Sequence, residues 1–325
     1  MPSITIVTPV WNGLPYIREC VESVISQDFT DWEFIIGDNC SIDGTREYLD
    51  GLSDPRIRIF KQERNLGIYG NLNFLFRHPR SMHVHVLGAD DTVLPGGLGR
   101  IWKAWRDLPD EVGLIRFNWG GERSAATLGR YSFEVLPEII APEDSDLAYL
   151  LFGCLPGNLS NVSVKASLVL EAGGFREDLP YAGDFEMWSR MGRRWPLALS
   201  VDEVTAVRRH EGVASNYLNR KGELFPQLVS IYTTFVENLS PRISRARLIA
   251  FFNVELVSSH LRTALLGVSR GNSAYLQRLI QARSPILWSL PLRLFGCLPF
   301  ALWPSGRQQL STKMAKKLAN FRSNR

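Results

Sequence analysis

His83-Val84-His85-Val86-Leu87-Gly88-Ala89-Asp90-Asp91-Thr92-Val93-Leu94-Pro95 reads as a short buried strand that runs into two adjacent carboxylates, then a turn and a helix start at Pro95-Gly96. Carboxylates at a strand exit add nothing to a core. Side by side they repel, and each raises the other's pKa unless a cation sits between them. A hard divalent ion, bound by one or two carboxylates and by phosphate oxygens, relieves that repulsion. The alternative is a solvated loop in which Asp91 or Thr92 helps start the helix.

Upstream of this stretch, strand and helix alternate. Ile4 to Val10 is a near-continuous apolar run, as in a strand buried on both faces. Ile17, Cys20, Val21, Val24 and Ile25 follow at helical spacing, and the helix ends near Gln27. Trp32 to Asp38 is a second buried strand, Arg56 to Phe60 a third, and helices fall around Leu49 and through Leu72, Leu75 and Phe76. This alternation predicts an α/β fold with a mostly parallel sheet covered on both faces, where ligands bind outside the carboxyl ends of the strands. Those ends carry Trp11 and Asn12, then Asp38, then Asp90 and Asp91. An aromatic platform, a lone carboxylate and a carboxylate pair suit a base, a ribose and a diphosphate. The first strand is followed by no Gly-x-Gly-x-x-Gly, and the chain has no Gly-Lys-Ser/Thr loop, so a cation must neutralise the phosphates.

A chain of 325 residues suffices for one large domain, or one with an appendage. Its net charge of +4 is too small to argue for nucleic acid. From Pro304 to Arg325 there are six basic residues and no acid, which favours an anionic surface as partner for the tail. Cys20, Cys40, Cys154 and Cys297 show no paired spacing, as expected in a reducing cytosol. The N-terminus runs straight into a strand with no secretory leader, so the Asn-x-Ser sites at 158, 161 and 238 read as chance.

Thr-Pro-Val-Trp-Asn-Gly, Ile-Ile-Gly-Asp followed by Ser-x-Asp-Gly-Thr, Asn-Leu-Gly, and Ala-Asp-Asp together resemble, in order and spacing, the family 2 glycosyltransferases of GT-A fold. The resemblance runs from about residue 3 to about residue 215. It implies transfer of a sugar from a nucleoside diphosphate sugar, with Mg²⁺ or Mn²⁺ and with inversion. Carried over, Pro9 and Trp11 line the base pocket, Asp38 holds the base or ribose edge, Asp90 lies on the ribose side and Asp91 is the metal ligand. Two positions depart from the family pattern: Asn39 stands where a second acid is frequent, and Gly88 where an Asp is.

Val112 to Trp119 reads as a further strand, and Gly120 to Pro142 lacks periodicity. After Gly173-Gly174-Phe175 comes a helix start at Asp184, with Met187, Trp188 and Met191 as its packed face. Asp184 could be no more than an N-cap. The resemblance makes it the catalytic base, with Glu186 as fallback, although the family's usual Glu-Asp is here Gly183-Asp184. Arg208-Arg209-His210 resembles the family segment that closes over the diphosphate, making His210 a metal or phosphate ligand and Arg208 or Arg209 a phosphate contact. Residues 1–215 are thus expected to form the catalytic domain, and 216–325 a helical C-terminal region. Within that region a long helix opens at Ser240-Pro241, and Ile286 to Trp303 is very apolar but broken by Pro291 and Pro299. It reads as a membrane-surface segment beside the basic tail, or as a helix packed on the catalytic domain.

The resulting expectation is a metal-dependent inverting transferase acting on a glycan or lipid-linked acceptor in cell-surface polysaccharide synthesis. UDP is favoured only by family habit, and the place of action is the cytoplasmic face of the membrane. A nucleotidyltransferase would need a basic glycine-rich loop after the first strand, which Trp11-Asn12-Gly13-Leu14-Pro15 does not supply. A non-catalytic nucleotide-sugar or glycan-binding protein would have no need of Asp91 and Asp184.

Overall fold

The computed structural model describes residues 1–120, 138–208 and 222–319, save the side chains of 119, 120 and 319. Arg209, His210, Arg322 and Arg325 therefore lie outside the described residues, as does most of the stretch expected to lack periodicity. The described residues form two units: 1–120, 138–145 and 154–208 make up one, and 146–153 with 222–319 the other.

The first unit begins β1 (Ile4–Val10), α1 (Tyr16–Ile25), β2 (Trp32–Asp38), α2 (Thr45–Asp50), β3 (Ile57–Lys61), α3 (Gly67–Leu75) and β4 (His83–Val86). It continues with β5 (Thr92–Val93), α4 (Gly97–Asp107), β6 (Leu114–Gly120), β7 (Ile139–Ile140) and α5 (Pro142–Phe152), the last shared with the second unit. A 3-10 turn at Leu159–Asn161, β8 (Val162–Lys165), α6 (Ala166–Glu171), α7 (Gly183–Gly192) and β9 (Leu197–Ala206) complete it. The sheet runs β3-β2-β1-β4-β8-β6-β9-β5, with β7 on β9. From β3 to β4 every pairing is parallel, whereas β8 is antiparallel to both β4 and β6 and only β6 and β9 pair in parallel beyond it. The expected parallel sheet is therefore the N-terminal half of a mixed one.

One face of the sheet presents Ile4, Ile6, Phe34, Ile36, Ile115 and Phe117 to α1 and α4. Burial of Ile17, Val21 and Val24 on α1 contributes about 1.5–3 kcal/mol each. α3 packs on β1 and β2, where a Cβ at Gly37 would lie 2.5 Å from Asn71 Oδ1. Register decides what reaches the sheet's edge. Val10 lies beside Asp38 and Val7 beside Val86, and Leu87 N–H donates to Val7 O at 2.9 Å. Trp11, Asp38 and the Asp90-Asp91 pair consequently leave adjacent strands on the same side.

The second unit holds α8 (Leu224–Leu239), α9 (Arg245–Phe252), a π-turn at Asn253–Val257, α10 (Ser258–Val268), α11 (Ala274–Gln281), α12 (Leu290–Leu302) and α13 (Pro304–Ala319). Ser240-Pro241 closes a helix rather than opening one: Ser240 N–H caps α8 on Val236 O at 3.0 Å, and helix resumes at Arg245. Ser240 itself keeps helical dihedrals (φ −57°, ψ −31°), and it is Pro241, which has no N–H to donate, that cannot continue the helical ladder. Asn253 fixes the π-turn by donating Nδ2 to Ile249 O and Ile286 O, both at 2.8 Å. Among the described residues no helix is long and apolar enough to cross a membrane.

Candidate active site at the carboxyl edge of the sheet

The loops after β1 and β2 are tied together. Asn12 has φ +50°, a conformation that Asn tolerates better than most residues. Its N–H donates to Ser41 Oγ at 2.8 Å, and its Oδ1 accepts Ile42 N–H at 2.9 Å. Asn12 therefore clasps the two loops, while Trp11 beside it is exposed and free to offer a ring face. Pro9 is half-buried, beside Gly37 on β2. Asp38 is fully buried with both oxygens engaged. Oδ2 pairs with Arg46 Nε at 2.7 Å, and Oδ1 accepts Ser41 N–H at 3.1 Å. Any ligand thus meets Asp38 through the order it imposes on this turn and through Arg46, which is about a third exposed.

Asn39 has a structural reason to be an amide. Its Nδ2 donates to Asn65 Oδ1 at 2.8 Å and Gly67 O at 3.1 Å, while its Oδ1 accepts Leu66 N–H at 2.8 Å. A carboxylate could not donate, so an acid here would release the Asn65-Leu66-Gly67 turn.

Asp91 is buried just past β4. Its Oδ2 accepts Ser160 Oγ–H at 2.5 Å, its Oδ1 accepts Arg208 N–H at 2.9 Å, and Ser160 Oγ in turn accepts Gly88 N–H at 2.7 Å. Burial and the neighbouring Asp90 push Asp91 up to about 6, against the pull of Ser160 and Arg208. Gly88 permits the arrangement. A Cβ there would lie 2.9 Å from Asp91 Oδ2, 3.0 Å from Asp90 Oδ1 and 3.2 Å from Ser160 Oγ. The Arg208 guanidinium pairs with Glu19 and lies 4.9 Å from the Tyr16 ring centre.

Asp184 opens α7. Its Oδ1 accepts Phe185 N–H at 2.7 Å and Tyr69 O–H at 3.3 Å, and its own N–H donates to Tyr69 Oη at 3.1 Å. Among the described residues, no hydrogen bond reaches Oδ2. Burial raises the pKa of Asp184, and the bonds from Phe185 and Tyr69 oppose that rise. The Tyr69 ring stacks on Phe175 at 5.6 Å, and a Cβ at Gly183 would sit 2.6–2.9 Å from its edge. Glycine at 183 is thus what lets Tyr69 reach Asp184. Glu186 is committed elsewhere, in a two-point ion pair with Arg190 at 2.8 and 2.9 Å.

Among the described residues no group of three or more His, Cys, Asp or Glu is placed to hold a metal ion. Asp90 and Asp91 fit the other arrangement, in which one or two carboxylates bind a hard cation and phosphate oxygens complete its shell. Both present an oxygen to the space that a Cβ at 88 would fill, and burial disfavours the charge on Asp91 unless a cation answers it. His210 lies outside the described residues. Ser160, Tyr69 and Arg46 are the residues that sequence reading missed; Arg46 directly follows the Ser-x-Asp-Gly-Thr motif and Tyr69 stands two places after the Asn-Leu-Gly turn, whereas Ser160 lies near neither.

Residues 5–142 match the family model described as Glycosyl transferase family 2. This stretch contains Pro9, Trp11, Asn12, Asp38, Asp90 and Asp91, whereas Asp184 and His210 lie beyond it. The succinoglycan biosynthesis protein ExoO of Rhizobium meliloti is 33% identical over 101 residues, 31% of this chain and 29% of ExoO. The chain spans about a third of the length of several curated relatives that it matches, and 87% of one. Staphylococcus aureus TarS 1-349, solved with UDP-GlcNAc, superposes with TM-score 0.58 at 14% identity over 98% of this chain and 91% of that one. The mannosyltransferase PcManGT of Pyrobaculum calidifontis, solved with GDP-Man and Mn²⁺, gives 0.57 at 18% identity over 98% and 86%. At these identities the likeness shows the fold, GT-A.

Proposed function

We propose, from the match of residues 5–142 to the family 2 glycosyltransferases, that this chain is a divalent-cation-dependent inverting transferase of that family. It moves a sugar from a nucleoside diphosphate sugar to a hydroxyl of a glycan or lipid-linked acceptor in cell-surface polysaccharide synthesis, at the cytoplasmic side of the membrane. One observation carries this reading: the first unit builds two carboxylate sites of different character. Asp91 has both oxygens held and a like charge beside it, which suits a cation. Asp184 has one oxygen anchored and one open, with its pKa raised by burial, which suits a general base.

In this mechanism the open Oδ2 of Asp184 takes the acceptor hydroxyl proton while that oxygen attacks the anomeric carbon. The bond from that carbon to the diphosphate breaks on the opposite face, which inverts the centre. Tyr69 and Phe185 hold Oδ1, so the base keeps its aim as it gains the proton. Trp11 stacks on the base of the nucleotide, and Asp38 with Arg46 and Asn12 keeps the β1 and β2 loops shaped around base and ribose. Asp91 would hold Mg²⁺ or Mn²⁺, with Asp90 on the ribose side and His210 as a further ligand; the ion supplies positive charge to the diphosphate. The TarS complex with UDP-GlcNAc supports a uridine donor, and PcManGT with GDP-Man makes a guanosine donor the comparison to run.

The test is release of free nucleoside diphosphate from a panel of nucleotide sugars, with Mn²⁺ and with chelator, followed by NMR of the product anomer. One donor should turn over in a cation-dependent way with inversion. Retention, or binding of a donor without turnover under any condition, would defeat the proposal.

A further inference from the structure

Helix α12 faces inside out for a helix bathed in water. Its only charged side chain, Arg293, is 3% exposed. Nη1 of Arg293 donates to Leu279 O at 2.7 Å and Ala282 O at 3.0 Å, closing the last turn of α11, and Nε donates to Trp288 O at 3.3 Å. Arg293, Cys297 and Ala301 form its buried stripe, and α12 packs on α10. On the other side Phe295 is 75% exposed and Trp303, which ends the helix, 62%; Leu292 and Leu302 are exposed as well. At 100° per residue, positions 292, 295, 299, 302 and 303 fall within one narrow sector. The ring of Trp303 lies over Gly306, where a Cβ would come within 2.1–2.4 Å of it, so the ring rests flat against the start of α13.

The stretch of chain that carries this patch is basic. From Leu256 to Arg325 the chain has eleven Lys and Arg and no Asp or Glu, whereas the remainder is net acidic. On α13, directly after Trp303, Lys313, Lys316 and Lys317 are all exposed. Exposed apolar and aromatic side chains beside exposed lysines are the composition of an interfacial helix. Lysine is depleted at interfaces between proteins, whereas near an anionic leaflet each one adds attraction. No described helix is able to cross a membrane, so the contact is with a surface.

We propose that the exposed stripe Leu292/Phe295/Leu302/Trp303, together with Lys313, Lys316 and Lys317 on the helix that follows it, docks this protein onto an anionic lipid surface. The apolar stripe enters the headgroup boundary, and the lysines choose the leaflet. Neither part holds the chain alone, for the reason that a single lipid anchor is marginal.

The test uses the full chain and vesicles of phosphatidylcholine with and without phosphatidylglycerol, read by co-sedimentation at low and high salt. The wild type should bind the anionic vesicles at low salt and leave them at high salt. Lys313→Gln/Lys316→Gln/Lys317→Gln should weaken partitioning by roughly a hundredfold, about fivefold per lysine. Phe295→Ser/Trp303→Ser should abolish binding even at low salt. Phe295 and the three lysines are exposed, and the Trp303 ring rests on the start of α13. A melt of each variant, with donor turnover in solution matching the wild type, therefore separates this result from unfolding and from any failure of the proposed activity. Failure of the wild type to bind, equal binding to neutral vesicles, or unchanged binding by the serine variant would overturn the proposal. So would a wild-type dimer that Phe295→Ser/Trp303→Ser makes monomeric in the absence of vesicle binding, since the stripe would then cover a second copy.

Discussion

Tyr69→Phe isolates the group that tunes Asp184, the proposed base. Phenylalanine keeps the ring stacked on Phe175 at 5.6 Å, so the packing that places α7 survives. Only the hydroxyl is lost, and with it the donor to Asp184 Oδ1 at 3.3 Å and the acceptor for Asp184 N–H at 3.1 Å. A hydrogen bond to an ionised group is worth about 1.5–3 kcal/mol, and the length of this one puts it at the low end. About 1.5 kcal/mol corresponds to about one pKa unit. The sign follows from the role: Tyr69 stabilises the carboxylate, so its removal raises the already raised pKa of Asp184. A base works only when ionised, so turnover rises with pH through that pKa. The acid limb of the rate profile should therefore move up by about one unit. Below the limb the rate should fall roughly tenfold, with little change on the alkaline plateau. The assay is donor-dependent release of nucleoside diphosphate, with water as acceptor, followed across the limb. Asp184→Asn in the same assay should lose the limb and about a hundredfold or more in rate while still binding donor. An acid limb that stays in place in Tyr69→Phe, or persists in Asp184→Asn, would refute the assignment of Asp184 as base.

Three further outcomes are expected. Asp91→Asn should abolish transfer yet stabilise the cation-free protein. A pKa raised from 3.8 to about 6 gives stability that is present below 3.8 and lost as pH rises through 6. The charge removed is worth up to about 3 kcal/mol at pH 7, against about 1–2 kcal/mol for the one bond, from Ser160 or Arg208, that a single amide oxygen cannot also accept. The variant should then be more stable by about 1–2 kcal/mol, and Mn²⁺ should raise the melting temperature of the wild type only; a less stable variant would contradict this. Gly183→Ala drives a Cβ to 2.6 Å from the Tyr69 ring and should cost about 1–3 kcal/mol with loss of turnover. Added to Tyr69→Ala, it should cost little more in a double-mutant cycle. Asn39→Asp sets lone pairs against Asn65 Oδ1 and Gly67 O, and denaturant melts should show a loss of about 2 kcal/mol or more.

Much of this site could be read from sequence because its parts sit at strand ends. A strand buried on both faces announces itself as an unbroken apolar run, and whatever polar residue ends it lies on the carboxyl edge of the sheet, where the candidate site is. That holds for Trp11 after β1, Asp38 on β2 and Asp91 after β4. What each residue does there is decided by groups remote in the chain. Asp91 is held by Ser160, 69 residues away, and by the backbone of Arg208, 117 away, while Asp184 meets Tyr69 across 115. No local period marks such partners. Asp38 illustrates the limit: the motif locates the carboxylate, but only the structure shows it spent on Arg46 and Ser41, with the guanidinium left nearer the solvent. The two family departures turn the same logic around. Asn39 and Gly88 read as missing acids, yet each is what its neighbours require, an amide that must donate to Asn65 and Gly67 and a glycine that leaves space for Asp90, Asp91 and Ser160. The sequence marks 216–325 as helical but does not mark α8, which, with Val229, Ile231, Thr233, Thr234 and Val236, is rich in β-branched residues that favour strands. It is helical because Phe225, Leu228, Tyr232, Phe235 and Leu239 bury one continuous face, and burial over sixteen residues outweighs tenths of a kcal/mol in propensity. A departure from a motif is thus a question about neighbours before it is a statement about lost chemistry, and at 39, 88 and 183 the neighbours answer it.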